Sequence, residues 1–284
     1  MAALPPYTTL FERIWHYAFR VICGLILFFL IMPILVIIPL SFNAGDYFTF
    51  TKEMLALDPA GYSLQWYHDF FTNPNWQGAV RNSVIISIFS TLIATTLGTL
   101  AALGLSQAQM PAKSAIMALL LSPMIVPLII SAAGMYFFYS RVGLQGTLIG
   151  VILAHAALGT PFVVITVTAT LVGFDRSLIR AALGLGASPF TVLRRVIVPI
   201  ILPGVISGAL FAFITSFDEV VVVLFVGSFE QRTIPWQMFS GIREHISPTI
   251  LAVATVLVGV SIVLLTVLEL LRRRSERLRG VVAN

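Results

Sequence analysis

Six apolar runs, each close to the roughly 20 residues an α-helix needs to cross the hydrocarbon of a bilayer, leave this chain few ways to fold. They cover Val21–Leu40, Ser83–Leu105, Ser114–Phe138, Leu148–Leu171, Ile200–Val226 and Thr249–Leu271. Backbone polar groups at membrane depth must be satisfied within their own segment, so runs of this length predict helices. The expected fold is all-α: an integral membrane protein with six transmembrane helices. Only 10% of the 284 residues are charged, 58% are hydrophobic and mean hydropathy is +0.98, so one membrane domain accounts for the chain. The expected division is a cytoplasmic or interfacial N-terminal segment at 1–20, a membrane domain at 21–271 and a basic cytoplasmic tail at 272–284. Trp15 and Tyr17 suit an interfacial helix in the first of these.

The formal charge is +5, and its placement says more than its sum. Assigning loops to alternate sides puts twelve of the 17 basic residues together: Arg13, Arg20, Lys113, Arg176, Arg180, Arg194, Arg195, Arg272, Arg273, Arg274, Arg277 and Arg279. Lys52, Arg81, Arg141, Arg232 and Arg243 fall on the other side. The positive-inside rule then places both termini and the 172–198 loop in the cytoplasm. A basic excess so distributed orients a membrane protein and gives no reason to invoke nucleic acid. Arg13 and Arg20 precede a run of full spanning length with no Ala-x-Ala pattern after it, so the first helix is expected to remain as a signal anchor.

Between the fourth and fifth runs lies a small-residue, basic segment, Arg180-Ala181-Ala182-Leu183-Gly184-Leu185-Gly186-Ala187-Ser188, continuing through Arg194-Arg195 to Pro199. The alanines favour helix, Gly186 allows a tight turn and Pro189 suits the first turn of a second short helix. A helix-turn-helix of that size on a membrane face is built to be gripped. The fifth run opens with Gly204, Gly208 and Ala212 at four-residue spacing, and the second holds Gly98 and Ala102; both let helix backbones approach closely. In the third run Pro123 and Pro127 are either breaks lining a pathway or packing kinks.

Asp218-Glu219 interrupts the otherwise apolar end of the fifth run. An ionised acid there costs several kcal/mol unless it meets water, a partner or a cation, so the pair is a candidate for the substrate path. At 1.5 Å per residue it lies roughly 28 Å from Pro199, near the far mouth. The competing reading is a cap on a new helix or re-entrant turn. His155, alone in the fourth run, reads as a hydrogen-bonded residue and not a ligand. In the 41–81 loop, Trp66, Tyr67 and Phe70 read as one face of an amphipathic helix dipped into the membrane interface, the alternative being direct contact with a soluble partner protein.

Chemistry-bearing motifs are missing. Gly184-Leu185-Gly186 lacks the Lys of a phosphate-cradling loop, no nucleophile elbow or zinc motif occurs, and Cys23 is the one cysteine, so no metal site or cofactor is expected in this chain. The chain is not expected to be an enzyme.

The segment from Ala181 to about Phe217 resembles the EAA loop of ABC-transporter permease subunits, carried by Ala181-Ala182, Gly186 and Pro199; Arg180 stands where the family pattern opens with Glu. The Ser63–Tyr67 and Asn73–Trp76 pieces, Arg81-Asn82-Ser83, Arg232–Pro235 and Gly241–Glu244 are similar to the spermidine/putrescine and opine branch. That resemblance implies a type I ABC importer permease fold with a coupling loop at about 172–199, in a bacterial inner membrane. It implies docking of an ATPase through Arg180, Ala181, Ala182, Gly186, Ala187, Ser188, Arg194, Arg195 and Pro199. The partners implied are two ATPase copies, which use ATP and Mg, a second permease that is a different chain, a periplasmic binding protein and the lipid bilayer. The cargo implied is a small organic cation such as a polyamine. The alternative is a secondary transporter or channel driven by an ion gradient, which would not need the 180–199 loop.

Overall fold

The computed structural model describes residues 9–107, 109–175, 177–244 and 247–278. Arg176, Arg279 and the remainder of the expected N-terminal segment and basic tail lie outside the described residues, as do the side chains of Arg243, Glu244, Arg272, Arg273, Arg274 and Arg277. Among the described residues no strand forms; an isolated bridge joins Asn43 to Tyr62.

The helices in chain order are α1 (Leu10–Leu40), α2 (Lys52–Leu55), α3 (Gln65–Thr72), α4 (Pro74–Leu105), α5 (Lys113–Ile125), α6 (Leu128–Val142) and α7 (Leu148–Val172). There follow α8 (Ser177–Gly184), α9 (Pro189–Val192), α10 (Val198–Asp218), α11 (Val221–Val226), α12 (Ile234–Glu244) and α13 (Thr249–Leu278). Among the described residues, four stretches are long and apolar enough to cross a membrane: α1, α4, α7 and the continuous stretch from α9 through α10. The pair α5–α6 makes a fifth if counted as one span, though it is bent by 104°. The sequence predicts six spans. Its sixth run is helical, in α13, with a described apolar part at Thr249–Val263.

Two of the expected helices are broken, each for a local reason. In the run Ser114–Phe138, Val126 is extended at φ −72° and ψ 133°, between α5 and α6. It precedes Pro127, whose ring disfavours helical backbone at the residue before it, and Pro127 has no N–H to continue the ladder. The run Ile200–Val226 is interrupted at Glu219, extended at φ −75° and ψ 126°.

The chain forms two compact units. One comprises the chain up to Asn73 with that from Glu244 onward. Here α1 starts well before the first apolar run, at a capping box in which the Thr9 N–H donates to Glu12 Oε2 (2.8 Å) and the Glu12 N–H to Thr9 Oγ1 (3.3 Å). Its 31 residues amount to about 46 Å, more than the roughly 30 Å of hydrocarbon. From Leu10, the segment expected at 1–20 is helical and continuous with the helix of the first apolar run. After Ser41 the chain is folded around Asn43, whose Nδ2 donates to the carbonyls of Tyr47 (2.9 Å) and Thr49 (2.8 Å). Of the three aromatics expected on the interfacial face, Phe70 turns into the protein, while Trp66 and Tyr67 are half-buried. Trp66 Nε1 donates to the Asn43 carbonyl (2.7 Å), the Tyr67 hydroxyl pairs with Ser41 Oγ (2.6 Å), and Phe70 is buried. Their polar atoms find partners in the preceding loop, which anchors that face internally.

The other unit, Pro74–Arg243, is organised around α4, α7 and α10. Small residues set its spacing. A Cβ on Gly208 would come within 2.5 Å of Thr166 Oγ1 and 2.8 Å of Val163 Cα, and one on Gly98 within 2.7 Å of Val163 Cβ. Gly204 abuts Thr170 in the same way. A layer of Ala94, Ala156, Val163, Val167, Ile201 and Ala212 fills the interior between these contacts. Helix association in a membrane depends on such close backbone approach, because lipid is as apolar as Leu.

Candidate functional site

The 173–199 segment joins α7 to α10 and folds as a pair of short helices. Asp175 opens the first: Oδ1 accepts the Ser177 N–H (2.8 Å) and Oδ2 the Ser177 hydroxyl (2.6 Å). These bonds, with a smaller attraction from Arg180, hold the exposed Asp175 carboxyl below its ordinary range. At the other end of α8 the Ala187 N–H donates to the Ala182 carbonyl (3.1 Å) and the Gly186 N–H to that of Leu183 (3.0 Å). This is a Schellman motif, and Gly186 occupies its left-handed position at φ +80°. Ser188 then caps α9 through the Thr191 N–H (3.3 Å), with Pro189 in the first turn.

From Leu193 to Ile197 the helix widens into a π-turn, in which the Val198 N–H bonds to the Leu193 carbonyl. Pro199 follows immediately. It has no N–H for the Arg195 carbonyl, and in a regular α-helix its ring would collide with that group; the wider turn accommodates it. Arg194 and Arg195 ride on this turn, both exposed.

The segment presents a mixed surface. Arg180, Ala181, Gly186, Ser188, Arg194, Arg195 and Pro199 are exposed, whereas Ala182 and Ala187 are half-buried. The most prominent side chains are two the sequence reading passed over: Leu185, 89% exposed, and Phe190, 70% exposed. Their signal was available, since each is a large apolar residue flanking a turn where a solvated segment would carry polar ones.

At the opposite end of α10 the two acids part company. Asp218, its last residue, is exposed; Glu219 is buried, and its Oε1 accepts the Val222 N–H (2.9 Å) in the first turn of α11. The capping role considered for Asp218 is filled by its neighbour. One turn before the break lies a polar cluster: Ser90 Oγ on α4 donates to Ser216 Oγ on α10 (2.8 Å), which pairs with His155 Nδ1 on α7 (2.9 Å). His155 stood out in the sequence; its partner Ser216, and the Ser90 bonded to that, did not. The connection after α11 is tied back to the start of α4, where Asn82 Nδ2 donates to the carbonyls of Glu230 (2.7 Å) and Arg232 (2.9 Å) and Ser83 Oγ accepts the Ile234 N–H (2.8 Å). Among the described residues no group of acidic, His and Cys side chains could hold a metal ion.

Long apolar helices, two of them joined by an exposed helix–turn–helix, mark a multi-pass membrane protein. A family model described as "Binding-protein-dependent transport system inner membrane component" matches residues 94–279, and the chain belongs to that family. It is 32% identical to the "Spermidine/putrescine transport system permease protein PotC" of Haemophilus influenzae over 248 residues, which cover 87% of this chain and 93% of the relative. It is 29% identical to the "Putrescine transport system permease protein PotI" of Escherichia coli over 238 residues, 81% of this chain and 82% of the relative. Among solved structures, a chain of a bacterial ABC transporter for the import of the acidic polysaccharide alginate superposes with a TM-score of 0.74 over 93% of this chain and 99% of that one, at 15% identity. That likeness speaks to fold alone.

Proposed function

We propose that this chain is the membrane-spanning permease subunit of an ATP-driven importer, and that it forms, with a second and different permease, the path for a small organic cation such as a polyamine. The single observation carrying this reading is the exposed helix–Schellman turn–helix between α7 and α10, in a chain whose family is defined by binding-protein-dependent transport. A gradient-driven carrier has no use for such a connection.

In this reading the chain crosses the membrane six times, with the bent pair as one span and α13 as the last. Both termini and the 173–199 segment face the cytoplasm, as the distribution of basic residues favours. Two ATPase copies seat the segment between Arg180 and Pro199 and use ATP and Mg, so this chain needs no cofactor of its own. Closure of the ATPases pushes the segment, and α7 and α10 carry the displacement. Alternating access follows if the two permeases have two packings and ATP favours one of them. A binding protein delivers cargo at the opposite face. The polyamine assignment draws on relatives named for spermidine and putrescine and on the sign of exposed Asp218.

Arg180 is the departure from the family pattern. It reverses a charge on the docking surface, which suits an acidic residue on a matched ATPase, leaving Ala181, Ala182 and Gly186 to act by shape. An Arg180→Glu variant that docked better than the parent would overturn that pairing. For the function as a whole, the test is affinity purification of the full chain from its native membrane, followed by uptake of labelled putrescine into proteoliposomes holding whatever co-purifies. Recovery of an ATPase and a second permease, with uptake dependent on ATP, is expected. Uptake driven by an ion gradient without ATP would refute the proposal.

A further inference from the structure

The His155–Ser216–Ser90 chain links α7, α10 and α4 at one level of the helix core. All three side chains are almost wholly buried: His155 and Ser90 are 1% exposed and Ser216 is 4% exposed. As a source of stability this cluster is poor. His155 Nε2 and the Ser87 hydroxyl, one turn along α4, are buried without a protein partner, and a half-satisfied polar cluster is worse for stability than an apolar core of the same shape. Its position is distinctive instead. The neighbouring contacts between the three helices are between small surfaces: a Cβ on Gly159 would meet Ala212 Cβ at 3.0 Å and Ala94 Cβ at 3.4 Å. Surfaces of that kind set a distance and resist sliding or rotation little. Directional hydrogen bonds resist both. Ser216 sits two residues before Asp218, where α10 ends, and three before Glu219, where the chain turns into α11. The two helices that leave the docking segment are thus bonded to each other, and to α4, next to the acid corner at their other end.

We propose that His155 is a positioning residue for transport: through Ser216 it fixes the rotation and register of α10, so that displacement of the docking segment reaches the Asp218–Glu219 corner. This rests on the transport function proposed above. The groups bonded in this chain, Ser216 Oγ to His155 and Ser90 Oγ to Ser216, are hydroxyls and carry no charge, so the link is one of hydrogen bonding and not of charge.

The test uses the complete transporter in proteoliposomes with labelled putrescine and compares the parent with His155→Leu, His155→Asn and Ser216→Ala. Leu keeps the bulk and removes the bond, whereas Asn retains a polar atom near the position of Nδ1. His155→Leu is expected to leave the melting temperature unchanged or higher while lowering maximal uptake by about tenfold at unchanged KM. His155→Asn restores at least half of the parent rate. Ser216→Ala behaves like His155→Leu, and the double variant is no worse than either single one, as for two residues acting through one bond. Uptake by His155→Leu within twofold of the parent would overturn the proposal, as would an Asn variant as slow as the Leu one, or losses that multiply in the double variant. A loss of rate that merely follows a loss of folded protein would overturn it too. If His155→Leu does not assemble, the comparison of parent with Ser216→Ala decides by the same criteria. A parent that shows no ATP-dependent uptake refutes the function itself, which separates the two failures.

Discussion

At the scale of single residues, glycine and a carboxylate carry separable predictions. Gly186 is needed for its backbone: at φ +80° any side chain with a Cβ is strained, and open space surrounds the position, so nothing else opposes substitution. Gly186→Val should therefore cost about 1 kcal/mol or more in the Schellman turn, and Gly186→Asn clearly less, because Asn tolerates left-handed backbone. Recovery of co-purifying ATPase, ranked parent, Asn, Val, checks this. Gly208 is needed for its absence of volume. Gly208→Ala should destabilise by about 1–3 kcal/mol through overpacking against Thr166 and Val163, seen as a lower melting temperature in detergent. Gly104→Ala, in a position with nothing within 4 Å, is the control expected to do no harm. Asp175 carries the pH prediction. Its folded-state pKa is depressed from 3.8, so the stability it adds to the start of α8 is fully present above that value and lost as pH falls through the lower folded value. Hydrogen exchange at the α8 amides, corrected for intrinsic rates, should show the same protection from pH 5 to 8, and Asp175→Ala should reduce it throughout.

At the scale of elements, prolines divided what hydrophobicity alone would have left continuous. The run from Ser114 to Phe138 has the composition of one helix, and only the pre-proline restriction at Val126 turns it into two. With α5 and α6 bent by 104°, their outer ends lie roughly 26 Å apart, against roughly 45 Å for a straight helix of the same residues. Spin labels at Ser114 and Ser140, in a Cys23→Ser background, should report a longer mean distance in Pro127→Ala than in the parent. An unchanged distance would mean that packing of α6 against α11, and not the proline, holds the bend. The 173–199 segment was legible as a helix, a turn at Gly186 and a helix from Pro189, because each step has a local chemical cause. Its widened turn at Leu193–Ile197 was not, since that depends on how Pro199 is fitted into a helix running on for another nineteen residues to Asp218.

At the scale of the whole molecule, Asp218 and Glu219 make the prediction that concerns cargo. Exposed Asp218 and buried Glu219 should respond differently: Asp218→Asn should raise the KM for a cationic cargo severalfold with little change in melting temperature. Glu219→Gln weakens the bond to the Val222 N–H and should lower thermal stability by about 1 kcal/mol. Uptake kinetics and melting curves on the same preparations distinguish them, and unchanged KM in Asp218→Asn would remove it from the path. The sequence by itself determined that this chain is helical and lies in a membrane, where its basic residues cluster, and that a small-residue loop with a turn at Gly186 joins two of its helices. These properties follow from hydropathy, charge and backbone preference, which act within one segment at a time. Tertiary structure alone decided which of two adjacent acids is buried, that Trp66 and Tyr67 bond back to Asn43 and Ser41, and that a histidine in α7 meets a serine in α10 that is bonded in turn to one in α4. Each of those outcomes depends on groups distant in the chain competing for the same buried space and the same hydrogen-bond partners, and no spacing along a single run records that competition.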